Sequence, residues 1–436
     1  MTLFRDVRDN LQSPFEMMTL SRLQWRRIAT TALFATIAVV VYAWIDLSYS
    51  LPWHPHRPNL PTFAAAPLAN ACAGLETADA ASSSAAPDAP IPNLVHYIWL
   101  LTDPIVFSLD FKVFISVYSS YLFLRPDKIY FHTDVSPELW EQSKTAGDVW
   151  TQRVLAVPGV TPKYITNPTV TTKGVPIDTF GAKSDFIRAD ALREFGGVYL
   201  DVDAVPLRDL APLRRAGFAS VVGGATALEP KHTGFVNTGV WLARPHSALV
   251  EVFREAMDAY YNGVWAISVE ILTDLAYRLH AIPGEVLIMN PRAFAPASFE
   301  LDDQFRLFQP HPDGSSSSAD SLVGLENAAH QPVGKGKELG AIQFKDRPLH
   351  ETCVDALTWL GERERAGRME TWEMDFSATY VLHAFDDDSH RVKGFDGKIT
   401  LPYVLARQSN YARAVYPAIF HALQEGILPA EEVNLA

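Results

Sequence analysis

Apolar positions along this chain fall into short runs near period two and longer stretches near period 3.6, and the two kinds alternate. Leu94-Val95-His96-Tyr97-Ile98-Trp99-Leu100 is almost continuously apolar and predicts a buried strand. Phe111 to Leu122 has helical spacing, Lys128 to Thr133 predicts the next strand, and Thr151 to Tyr164 carries another short one. Asp178 or Thr179 can cap a helix running to about Phe195, which Gly196-Gly197 then ends. Val198, Leu200 and Val202 alternate with Tyr199, Asp201 and Asp203. That pattern predicts a strand with one buried face and both carboxylates on the other. Further strands are expected at Ser220–Gly223 and Gly239–Ala243, and helices at Ser247 to about Tyr260 and about Ala266 to His280. Strands alternating with helices imply an α/β fold with a mixed, mostly parallel sheet covered on both faces. Ligands of such sheets bind beyond the carboxyl ends of the strands. Trp99, His132 to Asp134 and Asp201 to Asp203 are thereby drawn toward one crevice.

One apolar run has neither period. Ile28 to Ile45 is 18 uncharged residues, just enough to span a hydrocarbon layer of ~30 Å. Arg22, Arg26 and Arg27 precede it, Asp46 follows, and Tyr42 and Trp44 sit near the far boundary. The positive flank places a tail of residues 1–27 in the cytosol. The run starts late and no small-residue cleavage site follows, which favours a signal anchor over a signal peptide. Pro52 to Pro92 then holds eight prolines and twelve alanines, too little apolar bulk to fold alone. The expected organisation is a cytosolic tail (1–27), a transmembrane anchor (28–45), a Pro/Ala-rich stem (46–90) and a lumenal domain (91–436). Residues 311–337, rich in Ser, Gly and His, read as a loop insertion in that domain.

Composition narrows the partners. Of 436 residues, 48% are hydrophobic, enough for a substantial core. The net charge of −13 argues against nucleic acid, which calls for a basic stripe. Cys72 and Cys353 are the two cysteines, so no disulfide framework is implied, and whether they pair is left open.

The chemistry concentrates between Ser184 and Asp203. Asp185 and Arg188 are neighbours on one helical face. Two carboxylates converging at a strand end suit a hard divalent cation, Mn²⁺ or Mg²⁺, which can neutralise a diphosphate. A lone Asp-x-Asp is more often a solvated acidic turn. Here it follows an apolar strand, a double glycine and a polar helix face.

Ser184-Asp185-Phe186-Ile187-Arg188-Ala189-Asp190 and Gly196-Gly197-Val198-Tyr199-Leu200-Asp201-Val202-Asp203 resemble the core of glycosyltransferase family 32, the DXD sugar-binding family. That family includes fungal initiating mannosyltransferases and α1,4-glycosyltransferases, and the clostridial glucosylating toxins are more distant kin. The resemblance is dense from about Pro90 to Asp209 and implies a GT-A-like, Rossmann-type fold. It also implies that Asp201 and Asp203 bind the metal and diphosphate, and that Ser184, Asp185, Arg188 and Tyr199 serve the donor. Trp99 matches an aromatic that stacks on the nucleobase. His383, in Tyr380-Val381-Leu382-His383-Ala384-Phe385, matches a residue near the metal. Asn237, in Gly234-Phe235-Val236-Asn237-Thr238-Gly239, matches an asparagine presented to donor sugar or acceptor. Trp241 to His246 departs from the family's usual smaller residues, which puts the acceptor's identity in doubt. Glu270 and Asp274 are candidates to face it.

The expected activity is transfer of a hexosyl unit from a nucleoside diphosphate sugar to a glycan or glycolipid, with retention of configuration, in the Golgi or endoplasmic reticulum. Two other readings stay open: a catalytically silent partner subunit of a Golgi glycosyltransferase complex, and a metal-dependent phosphotransferase.

Overall fold

The computed structural model of the protein describes residue 36 and residues 89–103, 105–225, 234–312, 372–374, 376, 378–385, 392 and 394–428. The chain divides into two compact units, Met1–Arg57 and Pro58–Ala436. In the first, Thr36 is helical. The predicted anchor otherwise lies outside the described residues, as do the stem up to residue 88, both cysteines and residues 313–337 of the predicted insertion. Among the described residues, no helix is long and apolar enough to cross a membrane.

In the second unit, a seven-stranded sheet is built from β1 (Leu94–Trp99), β2 (Lys128–Thr133), β3 (Val160–Tyr164), β4 (Gly197–Leu200), β6 (Ser220–Gly224), β7 (Val236–Ala243) and β8 (Val286–Met289), in the order β3-β2-β1-β4-β7-β6-β8. Only β7 runs antiparallel to its neighbours. A two-stranded ribbon pairs β5 (Ala204–Pro206) with β9 (Val381–His383). The predicted mixed, mostly parallel α/β sheet is present.

The period of two assigns each strand residue a side. Val198, Leu200, Val240 and Leu242 join one apolar cluster, which α1 (Phe111–Ser119) and α11 (Asn410–Gln424) cover. Tyr199, Trp241 and Ala243 join a second on the opposite face, under α4 (Phe180–Phe195), α6 (Ala248–Tyr260) and α7 (Ile267–Leu279). The helix predicted from Phe111 ends at Ser119; the chain continues through a π turn, Ser120–Leu124, and stops at Arg125, whose φ is 44°. α4 begins as expected, with the Thr179 hydroxyl accepting from the Ala182 amide. Its C-terminal double glycine is required by geometry. Gly196 and Gly197 have φ of 60° and 110°, and a Cβ on them would lie 2.5 Å from Pro245 Cδ and 2.6 Å from the Leu94 carbonyl oxygen. That abrupt turn delivers β4 into the sheet beside β1 and points its carboxyl end at the site.

His132 does not join the crevice. It is buried on β2, with Nε2 3.0 Å from Nδ1 of His96, whose Nε2 is 2.7 Å from the Gly196 carbonyl oxygen. Parallel pairing of β1 with β2 sets the two rings side by side.

Candidate active site

Neither acidic residue sits on a strand. β4 ends at Leu200, and Asp201 to Asp203 form a turn closed by the Ala204 amide donating to the Asp201 carbonyl at 2.9 Å. The ladder with β7 runs one bond past Leu200↔Val240, since the Asp201 amide donates in register to the Gly239 carbonyl at 2.8 Å. The return bond is missing, because the Gly239 amide donates to Asn237 Oδ1 at 2.7 Å and the Asp201 carbonyl accepts from Ala204, while Arg188 Nη1 donates to the Thr238 carbonyl at 2.6 Å. Strand pairing therefore stops at Asp201. The carboxylates converge all the same, because the β5–β9 register sets Ala204 opposite His383 and the Ala384 amide donates to the Asp203 carbonyl at 3.1 Å.

One oxygen of Asp201, one of Asp203 and a ring nitrogen of His383 lie within 4.8 Å of one another. His383 Nε2 is 3.3 Å from Asp203 Oδ1 and 3.6 Å from Asp201 Oδ2. The other ring nitrogen settles the tautomer. The Gly239 amide donates to Asn237 Oδ1 at 2.7 Å, which fixes that atom as oxygen, and His383 Nδ1 lies 3.1 Å from it. Nδ1 therefore carries a proton, and Nε2 faces the carboxylates. In the neutral ring, three lone pairs converge, a set relieved by a proton or a cation. Burial lowers the affinity of His383 for that proton, but Asp203 and Asp201 outweigh it and raise the ring's pKa. Burial likewise raises Asp203, and His383 with Lys112 brings it below the ordinary carboxylate value. Two oxygens and one imidazole nitrogen at this spacing fit Mn²⁺ or Mg²⁺ with positions left for substrate oxygens. Gly239 keeps the cradle open: a Cβ there would lie 2.6 Å from Asp201 Oδ2 and 2.7 Å from His383 Nδ1.

Behind the acids stands a buried scaffold. Tyr199 donates to Asp201 Oδ1 at 2.5 Å and its hydroxyl is 3.2 Å from Ser184 Oγ. Arg188 Nη2 is 3.1 Å from Asp185 Oδ1, and Nη1 is 3.4 Å from Asp201 Oδ1, with the guanidinium 4.4 Å over the Tyr199 ring. Burial pushes Asp185 up to about 6, opposed by Arg188 and Ser268 and assisted by Asp201. Ser184, Asp185 and Arg188, on one face of α4 with i,i+3 and i,i+4 spacing, thus meet Tyr199 of β4 around Asp201. Arg188 and Tyr199 are bonded inward, bracing Asp201. Asn237 is placed against His383. Trp99 stands half-buried at the end of β1, against the first core cluster. Asp274 pairs with Arg278 at 2.8 Å, and Glu270 is exposed on the first turn of α7.

Sequence reasoning missed two contributors. Gly239 had a signal, a glycine inside a strand pattern, which marks a bulge or a close approach. Phe385 stacks on His383 with ring centroids 3.8 Å apart and a φ of 50°, and only the folded chain shows that.

Residues 143–218, which span α4, β4 and both aspartates, match the family described as the glycosyltransferase sugar-binding region containing a DXD motif. Together with the fungal relative below, that match supports a nucleotide-sugar-dependent glycosyltransferase similar to family 32. The relative, Glucan organizing enzyme 1 of Cryptococcus neoformans var. grubii, is 27% identical over 214 residues, 47% of this chain. The chain spans 54% of that relative's length. Similar solved structures include the PaToxG glycosyltransferase (16% identity, TM-score 0.32, 50% of this chain and 79% of that one). The glycosyltransferase GlyE of Streptococcus pneumoniae TIGR4 is similar at 12% identity and TM-score 0.29, over 63% of this chain and 64% of that one. The galactosyltransferase LgtC is similar at 14% and 0.28, over 47% and 76%.

Proposed function

We propose that this protein is a metal-dependent hexosyltransferase that moves a sugar from a nucleoside diphosphate donor, GDP-mannose or a UDP-hexose, to a glycan or glycolipid. The convergence of Asp201, Asp203 and His383 carries the reading, since three acceptor atoms gathered in one cradle call for a cation. A bound Mn²⁺ or Mg²⁺ would offset the negative charge that grows on the departing diphosphate. Asp201 and Asp203 would present oxygens to it and His383 would present Nε2, which Asn237 leaves free, while Arg188 and Tyr199 hold Asp201 in place. As the bond from the anomeric carbon to the phosphate oxygen breaks, an acceptor hydroxyl oxygen bonds to that carbon and its proton passes to the leaving phosphate. Attack on the same face retains configuration. The relative's printed name makes glucan a natural first acceptor to try. The apolar run 28–45 and its arginine flank support a single-pass type II anchor with the domain in the Golgi or endoplasmic reticulum lumen.

The decisive test is Asp203→Asn assayed with a panel of nucleotide sugars and Mn²⁺. Transfer should be abolished while circular dichroism and melting stay near wild type. Wild-type transfer by the variant would refute the site.

A further inference from the structure

Gly181, Ser184, Asp185 and Arg188 fall at i, i+3, i+4 and i+7 on α4, which places them on one stripe. Three members of that stripe brace the active site. The fourth, at the helix's first turn, carries the indole of Trp265: a Cβ on Gly181 would lie 2.7 Å from Trp265 Nε1 and 2.9 Å from Cδ1. Only glycine leaves room for the ring to rest on the helix backbone. Trp265 is nevertheless 51% exposed. Its carbonyl accepts from the Ser268 amide at 3.2 Å and from the Ser268 hydroxyl at 3.1 Å, and buried Ser268 lies beside Asp185. The backbone of Trp265 is thus tied to the scaffold of the site, while its ring rests on Gly181 and is open elsewhere. Phe180, next to Gly181 in the chain, and Tyr260 and Val264, close before Trp265, are 46%, 69% and 56% exposed. A single exposed aromatic is ordinary. One seated on a glycine of the stripe that holds the donor residues is not explained by packing.

We propose that Trp265, seated on Gly181, is a stacking platform for a pyranose ring of the carbohydrate acceptor. This rests on the transferase reading above and extends it to a named acceptor subsite. From Gly181 to Arg188 is roughly 10 Å along the helix at 1.5 Å per residue. The platform therefore lies outside the metal cradle but on the same face, where an acceptor extending away from the reacting hydroxyl passes. A rigid indole offers large contact area at little entropic cost, and the C–H face of a sugar is the apolar surface that matches it. Trp99, at the end of β1 against the other core cluster, is separate from it.

The test uses the full-length protein with Mn²⁺, comparing wild type, Trp265→Ala and Trp265→Phe. Calorimetry measures binding of laminarihexaose, mannohexaose and chitohexaose, and separately of UDP and GDP; donor hydrolysis is followed without oligosaccharide. At least one oligosaccharide should bind the wild type, with at least about tenfold loss in Trp265→Ala and recovery to within about threefold in Trp265→Phe. Nucleotide affinity and donor hydrolysis should not change. Unchanged oligosaccharide affinity in Trp265→Ala, or a wild type that binds none of the three, would overturn the platform. So would an equal loss of UDP or GDP binding, which would make the ring a base-stacking group, or Trp265-dependent binding to phosphatidylserine vesicles, which would make it a membrane contact. Trp265-dependent oligosaccharide binding by a wild type that turns over no nucleotide sugar would refute the transferase reading alone.

Discussion

The Nδ1–H of His383 donates to Oδ1 of Asn237 across 3.1 Å, and the Gly239 amide holds the same oxygen at 2.7 Å. Two residues 146 positions apart are tied so that the imidazole shows its free nitrogen to Asp201 and Asp203. A metal-ligating histidine usually depends on such a partner, whose loss costs ten- to a hundredfold in affinity. Asn237→Ala should therefore weaken Mn²⁺ binding by roughly tenfold or more in calorimetry. Asn237→Asp keeps an oxygen acceptor and should lose less. Equal Mn²⁺ affinity in wild type and Asn237→Ala would show that the contact does not orient the ring.

Gly239 is the narrowest point of the site. An added methyl group would press on His383 and Asp201 together, so one of them has to move. Gly239→Ala should cost about 1–3 kcal/mol of stability, as overpacking of a filled space does. Mn²⁺ binding should fall with it, because the displaced groups are candidate ligands. Chemical denaturation and metal titration on the same preparation check both halves.

Much of this site was legible because its signals are local. The Thr179 cap, the stripe on α4, the double glycine and the alternation around Tyr199 all act within a few residues of Asp201. What the alternation missed is the end of the strand. Asp201 leaves the sheet because Ala204 takes its carbonyl and Asn237 takes the Gly239 amide that would have paired with it, and that pairing joins segments far apart in sequence. His383 reached the site by family resemblance, since its position depends on a ribbon joining residues 204 and 383. The His96–His132 pair was invisible for the same reason: parallel register, not spacing, brings those rings together.

A buried ion pair ties residues 372–374 to α11. Arg413 Nη1 lies 2.8 Å from Glu373 Oε1 with both side chains almost fully enclosed, and the Arg413 guanidinium sits 5.3 Å from the Trp372 ring. Asn410 on the same helix accepts from the Met374 amide at 2.8 Å. Replacing one member alone leaves a buried charge, so Arg413→Met should destabilise by about 3–5 kcal/mol. Arg413→Met with Glu373→Leu should recover much of that loss. Urea midpoints of the two variants decide it; a double variant no better than the single would mean that the pair itself, and not the orphaned charge, sets the stability.

The His96–His132 pair makes stability depend on pH in a defined direction. The Gly196 carbonyl can only accept, so His96 Nε2 donates to it, and His96 Nδ1 is left to accept from His132 Nε2. That chain works with both rings neutral. Burial holds His96 at about 4, against the Gly196 bond and with a smaller push from Lys163, and holds His132 at about 3, helped by His96 and Lys163. In the unfolded chain both titrate near 6.5. The contribution is whole above about 6.5, where neither state is protonated. It is lost as pH falls from there through the folded values, because only the unfolded chain takes up protons. Per ring the loss by about pH 5 is on the order of 2 kcal/mol. His383, shifted upward, acts in the opposite sense, so the informative quantity is the difference between proteins. His96→Gln should show a shallower fall in urea stability between about pH 7.5 and 5 than wild type does. Parallel curves for the two proteins would mean that the buried rings do not govern this window.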